Sequence, residues 1–187
     1  MKPYDLGIMC GRFQHMHIGH ENVVDTGFRL CNRILILVGS SQEKYTKRNP
    51  FDYDFRKKII KSIYSDEFCV GNLIIVPLPD MTTDPEDISP DWGRYVLNIV
   101  KQEVGKLPDI MIYGNDEARS SWFDREDIKN MMEVIVPRSR INISATQMRQ
   151  YLMDNNFESW KQYVNPKIVN KFNEIRNYLL DIEYYKL

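Results

Sequence analysis

The sequence has little of what disulfide-linked, zinc-binding or membrane-spanning proteins require. Only three of its 187 residues are cysteines, Cys10, Cys31 and Cys69, and no two of them form a C-x-x-C pair. Their wide spacing argues against a zinc site or a disulfide framework, and favours buried thiols in a reducing compartment. The longest apolar runs, Ile34–Val38 and Leu73–Val76, are far too short for a membrane helix and are typical of buried strands.

An excess of charge of one sign is also missing. Lys and Arg number 25 and Asp and Glu number 26, which gives a formal net charge of -1 at pH 7. This near-neutral balance argues against a broad nucleic-acid surface, so we expect no nucleic-acid partner. No signal peptide is recognisable, because the first residues include Asp5 and lack a long apolar stretch. Together with the thiols, this predicts a cytoplasmic protein without a membrane partner.

Strand-like and helix-like segments alternate along the chain, which predicts an α/β fold: a doubly wound, Rossmann-like parallel sheet of five strands with C-terminal helices. The predicted strands are Leu6–Cys10, Arg33–Val38, Asn72–Val76, Asp109–Tyr113 and Met132–Val136. The predicted helices are Ile18–Leu30, Phe51–Tyr64, Trp92–Val104, Ser120–Ile128, Ala145–Asp154, Phe157–Tyr163 and Pro166–Leu180. We expect Pro50 to open the second helix, Pro77 to end the third strand and Asp91 to cap the helix that follows. Residues 1–187 are expected to form one domain, with about 157–187 as a helical extension.

The unusual loops of the chain all follow predicted strands. They are Gly11–His20, Gly39–Asn49, Pro79–Trp92, Gly114–Asp116 and Pro137–Ser144. The carboxyl ends of parallel strands meet at one edge of a sheet, and ligands of such folds bind beyond that edge. The sequence therefore predicts one ligand site to which several loops contribute.

The strongest motif lies at the first of these junctions, where Gly11–Gln14 and His17–His20 separate a strand from a helix. Free backbone N–H groups and the helix dipole favour an anion there. His17 and His20 are three positions apart, so both can face one ligand and donate to phosphate oxygens. Gly19 has no Cβ and lets a ligand approach the backbone. Two ordinary surface histidines would leave the adjacent glycine–arginine loop unexplained, so the motif predicts a nucleotide phosphate site.

A second motif, Ile143–Arg149, lies at the start of a later predicted helix. Ser144 is placed to cap that helix, and Thr146 and Arg149 face one way in its first turns. Together they offer N–H groups, hydroxyls and a guanidinium to an oligophosphate. Taken alone, this motif is also typical of an ordinary helix N-cap followed by a solvent-exposed arginine. The presence of the first motif in the same chain favours the oligophosphate site.

The H-x-G-H and I-S-x-T-x-x-R patterns resemble the paired motif of the nucleotidyltransferase superfamily, and the chain resembles archaeal-type nicotinamide mononucleotide (NMN) adenylyltransferases most closely. The similar stretches follow one another in order: Gly11–Gln14, His17–His20, Gly39–Glu43, Asn49–Phe51 with Arg56, Pro77–Asp80, Trp92, Tyr113–Asn115, Ile143–Arg149 and Val164–Val169. The chain departs from the family at His15, where the family usually has proline, and at Met16, where it has an aromatic residue.

The resemblance implies transfer of the adenylyl group of ATP to NMN, giving NAD and pyrophosphate, with Mg²⁺ carried mainly by the ATP phosphates and no metal held by the protein. ATP and NMN are thus the expected partners, and assembly into a homo-oligomer is left open. The attacking phosphate oxygen is already anionic near neutral pH, since a phosphate monoester has a second pKa of about 6. The reaction therefore requires positioning and charge stabilisation rather than a general base.

The resemblance also assigns roles to residues. The expected catalytic residues are His17, His20 and Arg149. The expected ATP-binding residues are Gly11, Arg12, Phe13, Gly19, His20, Ser144, Thr146 and Arg149. The expected acceptor-binding residues are Phe13, Ser40, Asp80, Trp92, Tyr113 and Asn115. Trp92 either stacks on the cationic pyridinium ring or anchors its helix, and Asp80 either binds substrate or caps a turn. Lys44, Lys47 and Arg48 form a basic loop that either closes over triphosphate or is a solvated run of charge.

Other functions remain open from the residues alone. Class I aminoacyl-tRNA synthetases share the His-Ile-Gly-His string, but this chain has no Lys-Met-Ser-Lys-Ser-like loop and no basic tRNA surface. Another adenylyl- or cytidylyltransferase, acting on nicotinate mononucleotide or pantetheine phosphate, is a nearer alternative. A non-catalytic nucleotide sensor is the third, and the intact histidines and Arg149 argue against it.

Overall fold

The computed structural model describes residues 2–81, 90–114, 119–137 and 141–186. Its centre is one parallel sheet with the strand order β3-β2-β1-β4-β5. The strands are β1 (Tyr4–Gly11), β2 (Cys31–Gly39), β3 (Leu73–Leu78), β4 (Ile110–Gly114) and β5 (Met132–Val136). The predicted α/β class with a five-stranded parallel sheet is confirmed.

Helices connect the strands and continue after the last one. They are α1 (Ile18–Leu30), α2 (Tyr53–Ile63), α3 (Ser65–Cys69), α4 (Pro90–Val104), α5 (Arg125–Ile128), α6 (Ala145–Met153), α7 (Phe157–Trp160) and α8 (Phe172–Leu180). Short 3₁₀ turns occupy Arg119–Trp122, Lys161–Tyr163, Pro166–Lys171 and Glu183–Tyr185. Within the described ranges, no helix is both long enough and apolar enough to cross a membrane.

The central strands of the sheet are buried on both faces, and their side chains alternate between two apolar clusters. Along β2, Ile34 and Ile36 belong to one cluster, whereas Leu35 and Leu37 belong to the other. The first cluster continues into the C-terminal helices through Trp160, which is fully buried. This two-sided burial is the arrangement expected of a doubly wound sheet, where successive side chains point to opposite faces.

The third strand continues past the proline that was expected to end it. Pro77 lies inside β3, in register with Val38 of β2. A proline is tolerated there because β3 is an edge strand and pairs on one side only. The predicted end of this strand at Val76 is therefore wrong.

Two predicted helix starts are also wrong. α2 begins at Tyr53 rather than at Phe51, because the Asp52 carboxylate accepts a hydrogen bond of 2.8 Å from the Phe55 amide and caps it. α4 begins at Pro90, so Asp91 lies in its first turn instead of capping it.

Three other predicted helices are interrupted. The stretches Ser120–Ile128, Phe157–Tyr163 and Pro166–Leu180 each divide into a 3₁₀ turn and a short α-helix. By contrast, α1 has the predicted bounds, and α6 is one residue shorter than expected.

Candidate functional site

The two histidines of the first motif lie side by side at the start of α1. His17 is the N-cap residue, and its Nδ1 accepts a 3.1 Å hydrogen bond from the Gly19 amide. A neutral imidazole that accepts at Nδ1 carries its hydrogen at Nε2. The ring centroids of His17 and His20 are 3.9 Å apart, and the Phe13 ring lies 5.1 Å from His20. The geometry thus groups both imidazoles at a helix N-terminus.

The second motif meets the first through its arginine. Ser144 caps α6 in a capping box with Gln147, as expected from the sequence. Arg149 then donates from Nη1 to the carbonyl of Gln14 and from Nη2 to Thr146 Oγ1, the latter at 3.3 Å. A residue of one motif therefore holds the backbone of the other, although 135 positions separate them in the chain.

Both motifs open into one cleft of about 830 Å³ at the carboxyl edge of the sheet. The cleft wall includes most of the predicted site residues: Gly11, Arg12, Phe13, His17, Gly19, His20, Tyr113, Ser144, Thr146 and Arg149. Three predicted acceptor residues do not line it in the described part of the chain: Ser40, Asp80 and Trp92. Asn115 lies outside the described residues, as do positions 82–89 of the predicted Pro79–Trp92 loop.

The cleft is cationic. Arg12, Lys47, Arg48 and Arg149 contribute positive side chains to its wall, and its described lining contains no carboxylate. Burial lowers the pKa of Arg12, and the like charges of Arg48 and Arg149 lower it further. Mutually repelling cations around one cavity favour a polyanionic ligand, which would offset the repulsion.

Two residues of the basic loop lie where they could contact a triphosphate, whereas the third does not. Lys47 and Arg48 line the cleft, whereas Lys44 lies with its Nζ 5.1 Å from the centre of the neighbouring Tyr45 ring. Two residues that sequence analysis did not single out, Tyr184 and Tyr185, complete the wall beside this loop.

A buried arginine, Arg56, anchors the loops after β1 and β2. Its guanidinium donates to the carbonyls of Arg12 and Gly39, each at 2.8 Å, and of Ser40 at 3.2 Å. Its Nε donates to the Asp52 carbonyl. Burial lowers its pKa to about 10, which leaves it charged at neutral pH. The sequence singled out Arg56 only as part of the family resemblance, without a role.

His15, the departure from the family pattern, is a buried connection rather than a ligand-facing side chain. Its Nδ1 donates to the Met16 carbonyl, and its Nε2 accepts a 3.2 Å hydrogen bond from the Trp160 indole. The bond from the Trp160 indole requires an unprotonated Nε2, and burial favours the neutral ring by lowering the pKa of His15 to about 4. The side chain thereby joins the phosphate-site loop to the C-terminal helices.

The remaining predicted acceptor residues have identifiable surroundings. Ser40 is buried with a positive φ of 47° and holds Arg56 through its carbonyl. Asp80 is exposed, and its backbone amide donates to Gln42 Oε1 at 3.1 Å. Trp92 packs against Tyr95, with ring centroids 5.5 Å apart, and lies 6.3 Å from the ring of Trp122.

The side chains of the described residues were compared with the arrangement that a bound metal ion requires. Among them, no group of three or more His, Cys, Asp or Glu side chains is arranged to hold a metal ion.

A parallel five-stranded sheet with two helix N-termini facing one cationic cleft defines a Rossmann-like nucleotide-binding protein. The family model described as "Cytidylyltransferase-like" matches residues 8–154. The chain belongs to this family of nucleotidyltransferases, as its paired motifs predicted.

Curated relatives share most of the chain. It is 35% identical over 168 residues to the nicotinamide-nucleotide adenylyltransferase of Saccharolobus solfataricus, covering 89% of this chain and 88% of that protein. It is 27% identical over 172 residues to the protein of the same name from Thermococcus kodakarensis, covering 91% of this chain and 83% of the relative. These archaeal relatives agree with the resemblance found in the motifs.

A solved structure supports the fold. A bifunctional NMN adenylyltransferase/ADP ribose pyrophosphatase from Francisella tularensis, complexed with AMP and a manganese ion, has a TM-score of 0.74 at 22% identity. The match covers 98% of this chain and 51% of that one, so the chain spans about half the length of the bifunctional protein.

Proposed function

We propose that this protein transfers the adenylyl group of ATP to NMN, giving NAD and pyrophosphate. The observation that carries the proposal is the meeting of His17, His20 and Arg149 at one cationic cleft, with Arg149 bonded to the backbone of the histidine loop. The cleft volume of about 830 Å³ is of the size that nucleotide-sized ligands occupy. The names of the curated relatives support NMN as acceptor.

The chemistry follows from placing two anions in line. An NMN phosphate oxygen attacks the α-phosphorus of ATP, a new P–O bond forms, and the bond to the β-phosphate oxygen breaks to release pyrophosphate. No protein group has to remove a proton first, because the nucleophile is already anionic. In this proposal the imidazoles of His17 and His20, whose ring centroids are 3.9 Å apart, both donate to phosphate oxygens and stabilise charge on the α-phosphate. Ser144, Thr146 and Arg149 hold the β- and γ-phosphates.

Magnesium enters this scheme as part of the substrate. We expect Mg²⁺ to arrive on the ATP phosphate oxygens, which are the kind of ligand it prefers. When bound, it neutralises phosphate charge. Gly11, Arg12 and Gly19 approach the nucleotide from the glycine loop and the start of α1.

Fewer contacts support the proposed NMN-binding residues than support the proposed ATP-binding residues. Phe13 and Tyr113 line the cleft and support the proposed NMN subsite. Ser40, Asp80, Trp92 and Asn115 are retained as proposed acceptor residues on the family resemblance. The single domain over residues 1–187 and the cytoplasmic location also remain predictions.

A direct assay tests the proposed reaction. Purified protein is mixed with ATP, Mg²⁺ and NMN, NAD is measured with an NAD-dependent dehydrogenase, and pyrophosphate is measured in parallel. We expect equal amounts of both products. The matched reaction replaces NMN with nicotinate mononucleotide, and formation of product from that acceptor alone would contradict the amide substrate. ATP binding without turnover on either acceptor would favour a nucleotide sensor and contradict an enzyme.

A further inference from the structure

The basic loop, residues Lys44–Arg48, lies on the surface, and all five of its residues are exposed. At its base, the Tyr45 amide donates to the Pro50 carbonyl at 3.1 Å and the Thr46 amide donates to the Asn49 carbonyl at 3.3 Å. Asn49 and Pro50 are buried, so these bonds anchor the base of the loop. Lys47 and Arg48, further along the loop, line the cleft.

The basic loop brings a positive charge close to Arg12. Burial lowers the pKa of Arg12, the charges of Arg48 and Arg149 lower it further, and the charges of Asp80 and Glu43 raise it. Like charges around a partly buried cavity repel, so Arg48 and Arg12 oppose each other's approach when no polyanion is bound. A contact that holds the loop at the cleft works against this repulsion.

Residues near the C-terminus make contacts that hold the basic loop at the cleft. The Tyr185 hydroxyl donates to the Lys47 carbonyl at 2.8 Å, and the Tyr185 side chain is buried. The neighbouring Tyr184 ring lies 5.2 Å from Lys47 Nζ. One helix earlier, the ring of Tyr178 lies 6.4 Å from that of Tyr45, and its hydroxyl donates to Asp52 Oδ2 at 2.8 Å. We call Tyr178, Tyr184 and Tyr185 the tyrosine clasp.

We propose that Tyr185 is a positioning residue for ATP binding, whose hydroxyl holds Lys47 and Arg48 at the cleft against the repulsion between Arg48 and Arg12. This rests on the proposed function of the cleft as an ATP site. The tyrosine clasp holds the basic loop in place before ATP binds, so the loop loses less conformational entropy when ATP binds. Removing the Tyr185 hydroxyl weakens ATP binding and leaves the chemical step nearly unchanged, because Tyr185 acts on the loop rather than on the α-phosphate.

The first test is independent of activity. Trypsin cleaves after Lys44, Lys47 and Arg48, so limited proteolysis without nucleotide, read by mass spectrometry, reports how firmly the loop is held. Tyr185→Phe removes one hydroxyl and keeps the buried ring. We expect cleavage within the basic loop to be about 2- to 10-fold faster than in the wild type, the factor that corresponds to one neutral hydrogen bond. Tyr4→Phe, which removes a hydroxyl bonded to Met132 at the opposite end of β1, is the matched control and should cleave like the wild type.

The second test uses the reaction. Tyr185→Phe should raise the KM for ATP by about 2- to 10-fold with kcat and the KM for NMN nearly unchanged. An unchanged KM for ATP together with wild-type proteolysis of the loop would overturn the inference, even if the wild type makes NAD normally. A lower melting temperature with unchanged ATP kinetics would overturn it too, because it would show a merely structural tyrosine. If the wild type makes no NAD, the proposed function fails, and faster loop cleavage in Tyr185→Phe would still support the contact that Tyr185 makes with the loop.

Discussion

The two sides of the cleft are built differently. On the phosphate side, short motifs present their groups next to helix N-termini, and buried bonds from His15, Arg56 and Arg149 fix their backbone. On the proposed acceptor side, the expected residues come one at a time from separate loops, and of those that the structure describes, only Phe13 and Tyr113 line the cleft.

This difference shows why one half of a site can be recognised from its motifs and the other cannot. A phosphate is bound mainly by backbone amides and fixed charges, which a local pattern of glycine, histidine and capping residues already specifies. A pyridine ring is recognised by single side chains whose positions depend on tertiary packing. Four substitutions test how far the contrast holds, from the largest expected effect to the smallest.

The strongest test of the phosphate side is His20→Ala. Loss of a charge-stabilising donor in a partly closed site costs about 100- to 1,000-fold in turnover, so kcat should fall by that order. Steady-state NAD formation measures the effect, and an unchanged circular dichroism spectrum and melting temperature show that the fold is intact. Near-normal turnover would remove His20 from the proposed mechanism.

The next effect is expected at Arg149. Arg149→Ala removes a charged donor and should raise the KM for ATP by about 10- to 100-fold, the factor that charge-assisted hydrogen bonds typically supply. The KM for NMN should change much less. Arg125→Ala, at an exposed arginine of α5, is the matched control and should leave both constants unchanged. Equal losses for ATP and NMN would mean that Arg149 acts through the loop rather than on the nucleotide.

The buried connection beneath the phosphate side predicts a pH dependence of stability. Folding lowers the pKa of His15 from 6.5 to about 4, so the unfolded chain binds more protons between these values and unfolding becomes easier as pH falls. Between pH 7 and pH 5 this contributes about 2 kcal/mol to the loss of unfolding free energy. The loss is complete only below the folded-state pKa.

His15→Gln isolates this contribution, because the carboxylates that titrate in the same range are common to both proteins. Urea unfolding at pH 7 and pH 5 should show that the wild type loses about 2 kcal/mol more than the variant. Parallel losses in the two proteins would show that His15 is not held neutral by the fold.

The smallest effect is expected on the acceptor side. Trp92→Phe keeps a ring beside Tyr95 and Trp122 but weakens attraction to a pyridinium cation, so the KM for NMN should rise by about 2- to 5-fold with the KM for ATP unchanged. Trp122→Phe alters the same packing and should affect only the melting temperature. If Trp92→Phe behaves like this control, Trp92 is a packing residue and the contrast between the two sides becomes sharper.

Local patterns predicted the elements whose limits are set locally. α1 has the predicted bounds because His17 caps its start and β2 begins directly after its last residue. The error at Pro77 has a physical cause: nothing nearby in the sequence shows that β3 lies at the edge of the sheet.

The same limit applies to the site. The bond between Trp160 and His15 joins residues 145 positions apart, and that between Tyr185 and Lys47 joins residues 138 positions apart. Neither pair belongs to a motif, so only the folded chain shows them. The role of Arg56 was missed for a related reason, since its partners are backbone carbonyls that carry no sequence signal.

The four backbone contacts of Arg56 have a consequence for local unfolding. Because one buried guanidinium bonds to the ends of β1 and β2 and to the cap of α2, none of these three segments can open alone without leaving a desolvated charge with missing acceptors. We therefore expect them to form one cooperative unit, in which all three segments open with the same free energy. The basic loop beyond Ser40, by contrast, has a contact of its own at Lys47 and can move separately.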